Sequence, residues 1–314
     1  MPKQQTTDQT ESSSAKVLMK KRGKTYYWAT KLFPRKLREA VYTLYAFYRI
    51  PDDIVDTEDI SLPEVQQKLH NWIDEWKKTI KSESKNSHPV LLATKKLHKK
   101  YQIDYSYSID FLNAMASDLT KNRYQTYNEL CEYMYGSAAV VGIMLSHIIG
   151  VKSPDLFKTS LSYATKLGYA MQLTNFLRDI GEDIKDRNRI YLPINELAKF
   201  NLTADEIIQN NMPEQQWQAF MTWQVDRAEN LYQTAIIGIR NLKKVGQFPV
   251  LLAANLYGYQ LQKIRNNNYK IISDSNFYRP TFWEKVKITF KTYYIYKTKW
   301  QRKKQSSSEL ELVA

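Results

Sequence analysis

The sequence predicts an all-α fold, a single-domain helical bundle around a central apolar cavity. Three observations carry this. Apolar residues recur at i, i+3, i+4 and i+7 in segment after segment. The 314 residues include only nine glycines and ten prolines, few for an all-β fold with many tight turns. No alternating run of convincing strand length occurs, and no internal repeat. At 43% hydrophobic, the chain has enough apolar material for a sizeable core.

Residues 1–16, "MPKQQTTDQTESSSAK", are polar and mixed in charge, without a hydrophobic signal core, and read as a disordered tail. Residues 17–33 form an aromatic lead-in. Pro34 then starts a helix on which Leu37, Val41, Leu44, Tyr45 and Tyr48 make a stripe, and Pro51 interrupts it as a kink or a new start. Residues 63–80 and 89–100 read as amphipathic helices separated by the loop 81–88. Helices are expected at 104–120, at 127–150 with many small residues, and from Pro154 to about 184. "RNRIYLP" (187–193) is a connector, and helices at 203–210, 213–244 and 248–268 follow. These elements place the helical domain at 17–278, with a basic aromatic segment at 279–314.

A single cysteine, Cys131, excludes an internal disulfide framework and a cysteine-based metal site, which suits a reducing, cytoplasmic compartment. No apolar run reaches about 18 residues, so no membrane span is expected; "AAVVGIMLSHIIGV" (138–151) reads as a buried core helix. The net charge of +14 raises nucleic acid as a partner. The excess is uneven, however. Nine Lys or Arg lie between Arg279 and Lys304 against one acid, Glu284, interleaved with Phe282, Trp283, Phe290, Tyr293, Tyr294, Tyr296 and Trp300. Basic residues mixed with aromatics suit an anionic membrane surface at least as well as a phosphate backbone, and peripheral membrane association is the expectation. A plain solvated basic helix is the alternative.

Two helices turn acidic on what reads as their buried face. The stripe Leu37, Val41, Tyr45, Tyr48 runs on into Asp52 and Asp56, with Asp53 beside them. The stripe Ala164, Leu167, Gly168, Met171 runs on into Gln172, Asn175, Asp179 and then Glu182 and Asp183. Either cluster alone is more often a solvated acidic turn. Two together, each continuing a core stripe, suggest a greasy cavity with an acidic mouth. Unpaired buried carboxylates are too costly to stand alone, and the local cations Arg49 and Arg178 are too few for them. Hard oxygen ligands facing each other across a cleft suit Mg²⁺, which takes carboxylates, waters and substrate phosphates. The ligand is then a phosphate ester with an apolar tail. The spaced ligands and loop glycine of an EF-hand are missing, as is the GxGxxG of a Rossmann-type dinucleotide site. His70, His88, His98 and His147 show no ligand spacing.

On these motifs the chain resembles the squalene/phytoene synthases, the head-to-head isoprenyl diphosphate synthases. "YAFYRIPDDIVD" (45–56) is similar to that family's first aspartate-rich motif and "QLTNFLRDIGED" (172–183) to its second. "YMYGSAAVVG" (133–142) resembles its tyrosine and small-residue helix, and "RNRIYLP" the connector of phytoene synthases. The resemblance covers about residues 20–270. It implies an isoprenoid synthase-like fold, with Asp52, Asp56, Asp179 and Asp183 binding Mg²⁺ (Mn²⁺ as a substitute) and through it two prenyl diphosphates. Asp53 and Glu182 would support that shell. Arg49, Gln172, Asn175 and Arg178 would contact diphosphate or orient the acids, with Asn175 also a metal ligand. Tyr133 and Tyr257 would line the reaction centre, though ordinary core packing is the alternative for each. The family's serine-rich lead-in is replaced here by "KKRGKTYYWAT", so Arg22, Lys24 and Thr25 would serve one diphosphate. The family's basic residue after the last helix has Arg279 as its substitute.

The implied reaction ionises an allylic diphosphate, joins two chains through a cyclopropylcarbinyl diphosphate, and ends in a 1–1′ linked hydrocarbon. Tyrosine faces would stabilise the cations. Gly136, Ser137, Ala138, Ala139 and Gly142 would keep a tunnel open or else let helices pack closely. Phytoene synthesis from two geranylgeranyl diphosphates, closing by proton loss without NADPH, is the first expectation. A C30 enzyme making squalene or dehydrosqualene from farnesyl diphosphate is the second, and a non-catalytic family member the third. No obligate protein partner is inferable.

Overall fold

The computed structural model describes residues 15–57, 60–81 and 86–300. Among them every regular element is helical, and strand-like pairing is confined to the isolated bridges Arg123–Ile190 and Val151–Leu242. The expected tail lies outside the described residues up to position 14. Residues 15 and 16 already belong to a helix (α1, 15–22) whose Ala15 and Met19 are buried. Residues 82–85 of the expected loop and residues 301–314 also lie outside them.

The lead-in is helical rather than irregular: α1 is followed by α2 (Lys24–Thr30). Next come α3 (Arg35–Val55), α4 (Leu62–Lys81), α5 (Pro89–Tyr101) and α6 (Tyr105–Ser117). Pro51 lies inside α3 and does not end it. A proline removes one amide donor, yet seven other buried residues of α3, from Ala40 to Tyr48, hold the helix on the core. Packing outweighs the lost bond.

The helix expected at 127–150 is divided. It runs as α7 (Tyr127–Met134), a π-helical turn (Tyr135–Ala139) and α8 (Val140–Ile149). The small residues account for the division. A Cβ on Gly136 would lie 2.6 Å from the Asp110 carbonyl of α6, so close packing is the role of that glycine. Gly142 is closely packed too, since a Cβ there would lie 2.9 Å from the Ala164 carbonyl of α9, and it lines an apolar cavity with Leu145, Ala164, Leu167, Ile239 and Val250. Close helix packing is the role of both glycines.

α9 (Phe157–Arg187) is the long central helix, starting and ending about three residues later than expected. Asn188, in the left-handed conformation, closes it. Short α10 (Ile194–Lys199) and α11 (Ala204–Gln209) lead to α12 (Glu214–Ile239) and α13 (Lys244–Asn266). The break between the last two falls at residues 240–243, earlier than expected, and Pro249 is carried inside α13. Finally α14 (Phe282–Ile295), opened by a Thr281–Glu284 capping box, runs into a second π turn at Tyr296–Trp300.

α9 packs against α8, α12 and α13, while α3 packs against α4, α5 and α6. The core between them is rich in large side chains, Phe47, Trp76, Phe220 and Tyr232 among the fully buried ones. Each such side chain contributes about 1.5–3 kcal/mol of burial. The two acid-bearing helix ends are thus carried by separate packed layers. No helix among the described residues is long and apolar enough to cross a membrane.

Candidate active site

The acidic ends of α3 and α9 face each other through arginines. Arg49 grips its own helix, donating to Asp52 at 2.5 Å and to Asp53, which also lies 3.9 Å from Arg22. Arg178 forks onto Asp179 with two bonds of 2.5 Å and reaches Gln260 on α13 at 2.8 Å. Arg187, at the last turn of α9, spans the cleft. It lies 2.8 Å from Asp56 of α3 and 3.8 Å from Asp183 of α9. Sequence reasoning counted Arg49 and Arg178 as the local cations and missed Arg187.

These pairs do not quench the crowding. Desolvation in the cleft, then repulsion from Asp56, pushes the Asp52 carboxyl up to about 7 although Arg49 opposes the rise. Desolvation, then repulsion from Asp179, pushes Asp183 up to about 8 against Arg187. Among the described residues no three His, Cys, Asp or Glu side chains converge tightly enough to cage an ion. Mg²⁺ asks for less, since it is commonly held by one or two carboxylates with waters and substrate phosphates. An all-oxygen set of mutually repelling carboxylates fits such an ion.

The other expected residues fall into three places. Asn175 donates to Gln172 at 3.2 Å, on the same face of α9 as Asp179. Glu182 turns away and accepts the Ser275 amide at 2.7 Å, fixing the segment between α13 and α14. Gly181 lets that segment pass, because a Cβ there would meet the Ile272 carbonyl at 2.4 Å. The pinned segment leads to Arg279, whose buried Nε has no hydrogen-bond partner. Burial, then repulsion from Lys24 and Arg279, holds the Lys285 ammonium below its usual range, so these three cations share one neighbourhood. Arg22 and Lys24 are exposed and Thr25 half-buried at the start of α2. Lys285, read at first only as part of a basic run, was missed.

The two tyrosines occupy different aromatic clusters. The Tyr257 ring lies 4.9 Å from Tyr26, whose hydroxyl is 3.8 Å from the Met171 sulfur. Tyr133 stacks with Tyr191 and Phe176, and its hydroxyl donates to Asp118 at 2.8 Å. The connector after α9 is therefore no mere link. Arg189, Ile190, Tyr191 and Leu192 are all buried. Arg189 and Tyr191 sit at alternate positions of the connector and meet, Arg189 Nη1 donating to the Tyr191 hydroxyl at 2.9 Å. The apolar cavity lies further along α9, toward Ser160, and the carboxylates do not line it. From Leu167 at that cavity to Asp179 is ~18 Å of helix.

Sequence comparison adds the family. A family model described as squalene/phytoene synthase matches residues 19–288. The chain belongs to the squalene/phytoene synthase family. It is 34% identical over 275 residues to a 15-cis-phytoene synthase of Synechococcus elongatus, covering 84% of this chain and 86% of that one. It is also 34% identical over 274 residues to a phytoene synthase of Arthrospira platensis, with the same coverage. A crystal structure of a dehydrosqualene synthase in complex with ligand superposes with a TM-score of 0.82 at 26% identity, over 92% of this chain and 98% of that one. Squalene synthase from Alicyclobacillus acidocaldarius shares the fold, with a TM-score of 0.75 at 21% identity over 84% and 97% of the two chains. This family member is a prenyltransferase-type enzyme of head-to-head condensation.

The raised carboxyls give a signed pH dependence. Unfolded aspartates titrate near about 3.9. Held up at about 7 and about 8, Asp52 and Asp183 keep protons in the folded state that the unfolded chain has lost. Their contribution to stability therefore falls as pH rises from about 4 through 8. In EDTA, Asp183→Asn should gain little or nothing in Tm over wild type at pH 5.5 and clearly more at pH 8.5. Thermal melts at the two pH values check this, and an equal shift at both would contradict it.

Proposed function

We propose that the protein is an Mg²⁺-dependent phytoene synthase that condenses two geranylgeranyl diphosphates and releases both diphosphates. The observation that carries the reading is Arg187 linking Asp56 of α3 to Asp183 of α9, which makes one polar cleft of two acidic helix ends. The relatives named phytoene synthase support the C20 substrate. The likeness to a dehydrosqualene synthase supports a second reading, a C15 substrate giving a C30 product.

In this reading Asp52, Asp56, Asp179 and Asp183 hold the metal, with Asn175 beside them and Asp53 keeping Arg49 in place. Bound Mg²⁺ supplies Lewis-acid stabilisation of the departing diphosphate. Arg49, which bridges Asp52 and Asp53, and Arg178, which forks onto Asp179, donate to phosphate oxygens at the same edge. Arg22, Lys24, Thr25, Arg279 and Lys285 take the second diphosphate. Lys285 is desolvated and repelled by Lys24 and Arg279, so an anion placed among the three is favoured. The apolar tails run along α9 toward the cavity, and Tyr26, Tyr133 and Tyr257 exclude water and offer π faces to the cation. Proton loss closes the reaction, so no NADPH is used.

The enzyme works at the surface of an anionic membrane. α14 buries Ile288 and Thr292 and turns an aromatic face outward, with Trp283 76%, Phe290 71% and Tyr294 65% exposed. Lys287 and Lys291 flank that face in exposed positions. Exposed aromatics beside lysines suit the interfacial zone of acidic lipid, where a hydrocarbon product also partitions.

Purified protein with Mg²⁺ and geranylgeranyl diphosphate should give a C40 hydrocarbon with a central double bond, with or without NADPH. Asp179→Ala should cut turnover at least about a hundredfold while the helical spectrum survives. Refusal of the C20 substrate with a C30 product from farnesyl diphosphate would move the protein to the second reading. For the membrane, deleting the C-terminal segment would also strip Tyr296 and Trp300 from the core, so surface substitution is the cleaner test. Trp283→Ser with Phe290→Ser should lower sedimentation with phosphatidylserine vesicles about tenfold or more. Salt should weaken wild-type binding, and equal binding by both forms would rule the surface out.

A further inference from the structure

Asp118 closes α6, on a different element from the aspartates of α3 and α9, and its side chain is only 7% exposed. Its carboxylate collects three donors. Tyr133 Oη donates to Oδ2 at 2.8 Å, Tyr191 Oη to Oδ1 at 3.3 Å, and Arg189 Nη1 lies 3.5 Å from Oδ1. Arg189 also donates to the Asp118 main-chain carbonyl and to the Tyr191 hydroxyl at 2.9 Å. One buried carboxylate, one buried guanidinium and two phenols thus form a charge-balanced group, in which the buried Arg189 Nε is left without a hydrogen-bond partner.

A buried ion pair alone is weak evidence of function, since many serve only to satisfy a fold. Here the partners and the place say more. The Tyr191 ring lies flat on Phe176, with centroids 4.0 Å apart and planes 11° apart, and Tyr133 stacks on Tyr191 at 5.5 Å and 26°. Phe176 is on α9 one turn before Asp179. Arg189 and Tyr191 sit on the connector that begins at Arg187, which bridges Asp56 and Asp183. Repulsion from Asp118 reaches Asp52, and repulsion from Asp56 reaches Asp118. The group therefore borders the acidic cleft.

We propose that Asp118 is a positioning residue for the condensation, holding the Tyr133 and Tyr191 hydroxyls as donors and fixing their stacked rings as a π wall for the carbocation. The proposal rests on the reading that the cation forms in the cleft between α3 and α9. A phenol that donates to a carboxylate gains electron density in its ring, which strengthens attraction for a cation at its face. The carboxylate also stands behind the rings as a fixed negative charge, poorly screened because water is excluded. Asp118 needs no contact with diphosphate to act in this way.

The test is Asp118→Asn, which keeps the shape but removes the charge and offers a competing donor. Tyr191→Phe, which keeps the ring and the ion pair, is the second variant should the first fold poorly. Asp118→Asn should lower kcat about a hundredfold with KM for the prenyl diphosphate little changed. It should also divert more substrate to prenyl alcohol, formed when water adds to the cation and loses a proton. Tyr191→Phe should move both readouts the same way to a smaller extent, and the double variant should fall short of the product of the single effects. An unchanged alcohol fraction in both variants, with kcat falling only as far as the folded fraction falls, would reduce Asp118 to a structural ion pair. So would single effects that multiply independently. A wild-type protein that turns over no prenyl diphosphate would instead count against the activity itself, so the two failures are told apart.

Discussion

Arg187 joins Asp56 of α3 to Asp183 of α9, and the acidic cleft between the two helices depends on that span. The two helices belong to different packed layers, so the relative position of their carboxylates is set by this guanidinium and by the layers behind it. Burial strips water from the cleft and like charges then repel within it, which is why Asp52 and Asp183 are pushed up to about 7 and about 8. The fold tolerates the repulsion because large apolar and aromatic side chains hold each helix elsewhere along its length. Carboxylates crowded in such a place are a standing cost even with their arginines, and the arrangement makes sense where a cation and an anionic ligand arrive together.

The fold class was legible because helical periodicity is a local signal that survives without tertiary context. Element boundaries were less so. Pro51 looks like a break in sequence, yet it lies inside a helix whose buried neighbours outweigh a missing amide bond, and Pro249, near the expected start of a helix, lies inside α13. The π turn at Tyr135–Ala139 had no sequence signature beyond small residues, since it arises from the close approach of α6 at Gly136.

The candidate site was read unevenly for a similar reason. The aspartates announce themselves as acidic continuations of apolar stripes, and α3 and α9 carry them into one cleft. The cations around the site did not announce themselves, because Arg187, Arg189 and Lys285 sit in basic or connecting stretches that resemble solvated surface. Only the folded chain turns "RNRIYLP" inward, burying Arg189 and Tyr191 against the aromatic stack. Glu182 shows the opposite case. It belongs to the acidic motif, but its carboxylate is taken by the Ser275 amide, so it fixes the basic segment that carries Arg279. The segment it fixes brings Arg279 beside Lys24 of α2 and Lys285 of α14.

The central claim is that the two acidic helix ends act as one site for metal and diphosphate. Calorimetric titration with inorganic pyrophosphate tests it most directly, because it needs neither prenyl tail nor turnover. Pyrophosphate should bind in the presence of Mg²⁺ and lose most of its affinity in EDTA. Asp56→Asn on α3 and Asp183→Asn on α9 should each weaken the Mg²⁺-dependent binding. Pyrophosphate binding of equal strength with and without Mg²⁺, or binding sensitive to only one of the two helices, would contradict the account.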